Sequence, residues 1–200
     1  MTSTSSVHAY LNWAKERIDE MDAALASLES KAGEVQADAR GKAAELRAQM
    51  TKKRDDFRET VKKQAEANEA AWTKAKAQLD SDWTAFEGEL TKYVDNFGSQ
   101  LKQQQATFKA QADAQVRAWN EAAEKFRDAG KQFATERQGE IEASAKRMEA
   151  DAATAQAKLQ KLNEAGAQSW SVFMGALKET RANFDRANQA AQEAFKKAAA

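Results

Sequence analysis

The side chains able to do chemistry are few in kind. The chain has one histidine, His8, near its start, and no cysteine. A lone histidine without a second ligand or a partnered nucleophile makes neither a metal site nor a general base. The sequence holds no glycine-rich phosphate loop and no Cys/His cluster. Carboxylate pairs such as Glu140 and Glu142 occur, but on a charged helix they more often solvate the surface than catalyse. The expectation is a non-enzymatic protein with no catalytic, cofactor-binding or metal-ligating residues and no small-molecule substrate.

The elements that would position any site are helices. There is no proline and there are only 8 glycines in 200 residues, so little is present to end a helix once begun. Apolar residues make up 42%, and alanine supplies much of that share, contributing helix propensity rather than large buried area. Lys plus Arg and Asp plus Glu stand at 31 each, interleaved along the chain, as in coiled coils and long helices. That balance argues against nucleic acid, whose binders gather positive charge on one face.

The chain resembles itself when shifted by 98 residues. Tyr10 falls on Phe108, Ile18 on Val116, Met21 on Trp119, Leu28 on Phe126, Val35 on Phe133 and Met50 on Met148. Further on, Val61 meets Leu159, Trp72 Trp170, Leu79 Leu177, Phe86 Phe184 and Phe97 Phe195. An internal duplication follows: residues 10–97 and 108–195 as two helical copies, 98–107 as a connector, 1–9 as a flexible start and 196–200 as a tail.

Within the copies the large apolar residues recur every seven or eleven. Leu79, Leu90 and Leu101 are eleven apart, as are Phe86, Phe97, Phe108 and Trp119. Eleven residues are about three helical turns, so each series stays on one face. The expected fold is all-α: long amphipathic helices in an elongated hairpin or coiled-coil bundle. Candidate breaks are Gly98 with Ser99 as the next N-cap, Gly166 with Ser169, and Asn68, with Gly33 and Gly130 weaker. Residues 140–162, with Ile141, Met148 and Leu159 as bulky anchors among alanines, read as a solvated, mobile arm.

The stretch EAAWTKAKAQLDSDWTAFEGEL, residues 69–90, follows a long helix rich in Lys, Arg and Glu. It resembles the closing segment of small bacterial coiled-coil proteins of the stress-response type. Ala71, Trp72, Leu79, Trp83 and Leu90 carry the pattern, and Ala167, Trp170, Leu177 and Phe184 carry a looser copy in which Arg181 stands opposite Trp83. The eleven-residue rhythm is also similar to that of phasins, perilipins and exchangeable apolipoproteins. The first resemblance implies no catalytic residues, and the second implies helices that lie on lipid or polymer surfaces.

Two functions are therefore expected in order. The first is a structural or interaction protein that self-associates, or binds another helical protein, through a Trp/Phe stripe. Its residues are Trp72, Leu79, Trp83, Phe86, Leu90, Phe97, Phe108, Trp119, Phe126, Phe133, Trp170, Leu177 and Phe184. The alternative inserts the same stripe into a membrane, lipid droplet or polyester granule. A protectant that stays disordered until dried ranks third, and the aromatic content opposes it. The start MTSTSSVHAYLNWAKER lacks a basic segment followed by an apolar one, and no apolar run approaches the roughly 20 residues of a membrane span. A cytoplasmic location is expected.

Overall fold

A computed structural model describes residues 4–65, 67–98, 101–166 and 169–199, and of residues 4–8 and 199 the backbone alone. The chain is an all-α helical bundle. Its helices are α1 (Thr4–Ser30), α2 (Arg40–Gln64), α3 (Glu69–Phe97), α4 (Leu101–Gly130), α5 (Thr135–Glu164) and α6 (Trp170–Ala199), with a short 3-10 turn at Ala32–Glu34. The stripe is thus folded back repeatedly into helices of 25 to 30 residues.

Each expected break is used. Gly33 sits in the 3-10 turn between α1 and α2, Gly98 caps α3, and Gly130 is the last residue of α4. Asn68 caps α3 by accepting a 3.0 Å hydrogen bond from the Ala71 N–H, which satisfies one of the orphan donors of the first turn. Gly166 adopts φ 77°, a left-handed conformation that a Cβ would disfavour. The Ser169 carbonyl then accepts from the Val172 and Phe173 N–H groups as α6 starts. Ser99 and Ala167 lie outside the described residues. The two weakest candidates are real ends for a packing reason at one of them: a Cβ on Gly130 would come within 2.7 Å of Ile141 Cγ2, so the glycine lets α4 and α5 approach.

Three expectations meet a different arrangement. Residues 4–9 of the expected start lie in α1, and Ala9 is buried against the second half. The 196–199 tail continues α6, with Ala198 buried. Residues 140–162 are no mobile arm: they form most of α5, whose Ile141, Ala145, Met148, Ala152, Ala155 and Leu159 face inward against α4 and α6. Alanine here allows close helix approach, and the three bulky anchors supply the buried area.

Each half of the chain supplies a unit of three helices running up, down and up, and α1 packs more extensively on α4 than on α2 or α3. In the first, Asp22 of α1 binds Arg54 and Arg58 of α2, and Tyr10 of α1 stacks on Trp72 of α3 at 5.6 Å. In the second, Arg127 of α4 binds Glu142 and Glu149 of α5 at 2.9 and 2.8 Å, and Phe108 of α4 stacks on Phe173 of α6 at 4.4 Å. Shifting Thr4, Arg40 and Glu69 by 98 gives 102, 138 and 167, within three residues of the starts of α4, α5 and α6. The units meet through α1 and α4, which cross antiparallel, with Ser27 against Thr107, Glu20 against Gln115 and Lys15 against Glu121. α6 also packs on α1. The exposed surface of 10528 Å² exceeds the roughly 9,300 Å² of a compact monomer of this mass, as long helices laid side by side require.

Candidate functional site

The stripe faces inward within one chain. Trp72, Leu79, Trp83, Phe86 and Leu90 of α3 are buried, as are Phe108, Trp119 and Phe126 of α4 and Trp170, Leu177 and Phe184 of α6. Phe97 and Phe133 are half-buried, against Tyr93 at 5.3 Å and Phe195 at 5.1 Å. Two apolar clusters result. One gathers α1, α2 and α3 with the facing ends of α4, α5 and α6, and the other centres on Trp119, Ile141, Met148 and Phe184. Sequence reasoning left out Trp13, Phe57 and Phe173, all of which are in the core. Trp13 lies 6.1 Å from Phe57, and the Lys76 ammonium sits 4.5 Å above its ring.

Between the units lies a feature that the apolar spacing did not announce: a buried cluster of charges. Glu16 and Glu20 are one turn apart on α1 and wholly inaccessible, at 0% each. Arg181 of α6 grips Glu20 with two parallel bonds, Nε to Oε1 at 2.9 Å and Nη2 to Oε2 at 2.7 Å, and donates Nη1 to Glu87 of α3 at 2.9 Å. Its guanidinium stacks on Trp83, 4.5 Å from the ring centroid. Planar, bidentate and stacked contacts together are what arginine provides and lysine does not. Arg17 of α1 completes the set, pairing with Glu16 and, at 2.7 Å, with Asp185 of α6. Gln115 of α4 donates to Glu20 at 2.8 Å and accepts from Thr180 at 2.6 Å. Four helices therefore converge on one knot.

Four carboxyl groups face two guanidinium groups; Asp185 keeps access to water, but Glu16 and Glu20 have none, so ionising both would place two negative charges side by side in the interior. Burial resolves this by pushing Glu16 well above the usual carboxylate range; Arg17 opposes the shift and the neighbouring Glu20 reinforces it. Burial would raise Glu20 too, but the Arg181 guanidinium and the hydrogen bonds from Glu16 and Arg181 outweigh it and hold Glu20 below its usual value. Glu16 therefore holds its proton to higher pH than Glu20 does. Oε1 of Glu16 has no hydrogen-bond partner. For Arg181 burial alone would lower the pKa, and Glu20 more than compensates, so it stays charged.

The knot is unequal between the copies. Shifted by 98, Glu16, Arg17 and Glu20 correspond to Ala114, Gln115 and Ala118, Trp83 to Arg181, and Glu87 to Asp185. The two members of one repeat position, Trp83 and Arg181, thus touch each other. Elsewhere along the same contact, Gln111 of α4 is fully buried with neither amide atom partnered, and Asn12 Nδ2 is likewise unpartnered. Such groups cost stability without a compensating bond.

Among the described residues no group of three or more His, Cys, Asp and Glu side chains could hold a metal ion, and no helix is long and apolar enough to cross a membrane. Glu140 is exposed, while Glu142 is engaged by Arg127. An open groove of about 600 Å³ between α5 and α6 over Trp119 is rimmed by the balanced pair Lys158 and Glu179. The chain matches no protein-family profile, no curated protein and no solved structure.

Proposed function

We propose that this is a non-enzymatic, cytoplasmic helical interaction protein of the stress-response coiled-coil type, which associates by pairing the faces that its own helices carry. The observation that supports this reading is the closure of the Trp/Phe stripe inside a single chain. A stripe already covered by its own helices has no free face for a lipid surface, and the outside is a balanced mosaic of charges such as Lys52 with Asp56 and Lys109 with Asp113. The partner on this reading is a helical face of the same kind, in a second copy or in another protein.

The alternative, a protein that spreads on a lipid or polymer surface, is favoured by one observation. The contact between the units contains buried polar groups without partners, Gln111 above all, and these weaken it relative to a wholly apolar contact of the same extent. Titration with anionic and neutral vesicles separates the two. Tryptophan emission and far-ultraviolet helicity that ignore both vesicle types support the interaction protein. A shift of emission on adding vesicles of either type overturns it and installs the surface binder.

A further inference from the structure

The connector between the two units carries three independent marks. Gly98 is tightly placed: a Cβ there would lie 3.0 Å from the Val94 carbonyl oxygen and 3.1 Å from Val94 Cα, so a larger residue fits the closed turn only if the end of α3 shifts slightly. Leu101, the first residue of α4, is 37% exposed and one of two large apolar side chains in the open among the described residues. Yet it is in phase with Leu79 and Leu90, which are fully buried on α3. The second eleven-residue series also crosses the connector without a slip, since Phe86, Phe97, Phe108 and Trp119 keep their interval through residues 98–100. A turn normally breaks such a phase. Here the spacing is that of one helix carried straight through, and the connector holds no proline to forbid it.

We infer that the partner is a second copy of this chain, taken up by exchange of three-helix units: α3 and α4 straighten into one helix, and each chain's α4–α6 unit docks on the α1–α3 unit of the other. The inference rests on the interaction reading above and names its partner and mode. Every contact between the units is reproduced in the exchanged dimer, including Arg181 with Glu20 and Ser27 with Thr107, because each face meets the same complementary face. The gain lies at the connector. The last carbonyls of α3 and the first N–H groups of α4 pair within a continuous helix instead of ending there. Leu101 and Phe97, near the crossing of the two long helices, gain cover from their equivalents. Loss of freedom on association opposes the exchange, so its extent depends on concentration.

The absence of cysteine gives a clean test. Ser27 and Thr107 sit on α1 and α4 with their hydroxyl oxygens 2.9 Å apart, so the S27C/T107C double variant forms a disulfide within one chain when closed and between chains when exchanged. The variant, with and without G98A, is oxidised at graded concentrations and read on a non-reducing denaturing gel, with light scattering on the same samples and on the unmodified chain. Alanine at 98 crowds the turn and favours a helix. The expected result is a dimer whose crosslink joins two chains, rising with concentration and several-fold more abundant with G98A. A monomer at every concentration, a dimer whose disulfides stay within each chain, or no disulfide at all would each overturn the exchange. The vesicle titration is unaffected by which of these is found, so failure of the exchange and failure of the interaction reading are distinct results.

Discussion

Replacing Arg181 with methionine keeps most of the side chain's bulk and removes its charge. Glu20 then loses its bidentate partner while remaining at 0% exposure, and Glu87 loses its bond as well. Removing one partner from a buried ion pair costs about 3–5 kcal/mol, chiefly because the other charge stays buried and unmatched. With an unfolding entropy of about 2.1 cal/mol/K per residue, a 200-residue chain has roughly 0.4 kcal/mol/K, so the midpoint should fall by about 7–12 °C. The loss must also depend on pH. In the native chain Glu20 is held below its usual value, so its contribution is present above the ordinary carboxylate range and is lost as pH falls through the depressed value. In the variant Glu20 escapes by taking up a proton, at about 1.4 kcal/mol per pH unit. The gap between native and variant chains should therefore be wide at pH 8 and narrow towards pH 4. Thermal and urea melts followed by circular dichroism across that range measure it. A loss under about 1 kcal/mol at pH 7, or one that does not change with pH, would refute the buried knot.

Other perturbations test other parts. The pKa of Glu16 is raised, so its contribution is complete below the ordinary carboxylate range and is lost as pH rises through the elevated value; Glu16→Gln should flatten that alkaline decline, and urea melts of the two chains running parallel from pH 5 to 9 would contradict it. Phe86→Ala, at a fully buried stripe position, should cost about 3–5 kcal/mol in the same melts. Gly130→Ala should cost about 1–3 kcal/mol by crowding Ile141, and Ile141→Ala in the same chain should recover part of that loss; additive losses would show that α4 and α5 do not approach there.

The helical plan could be read from the sequence because both its signals are local. A stripe at 4, 3, 4 spacing fixes which side of each helix is covered, and residues 33, 68, 98, 130 and 166 supply the glycines and the asparagine that stop or start helices. What covers the stripe is not local. The same pattern suits a lipid surface, a second chain or the chain's own next helix, and the last of these covers it here. The ion knot escaped notice because charged residues on a charged helix read as solvated. Yet a signal was present: Arg181 lies eleven residues after Trp170, in the register of buried aromatics, where its mismatch with Trp83 read only as a weaker repeat. Glu16 and Glu20 likewise stand on the inward face of α1 shared with Trp13 and Ala24. A charge in core register calls for a buried partner, but the partner's identity depends on how the halves cross, which spacing along one helix does not encode. Leu101 is the converse case, an apolar residue in core register that the closed chain leaves exposed.

The stripe is covered in the free chain, and the five tryptophans sample it directly: Trp13, Trp72, Trp83, Trp119 and Trp170 are all buried, none above 5% exposed. Emission of the purified chain in lipid-free buffer, recorded during titration with acrylamide, reads their cover. Blue-shifted emission and weak quenching are expected until denaturant melts the helices. Emission at the position of free indole in water, quenched as readily in the native chain as in urea, would contradict it.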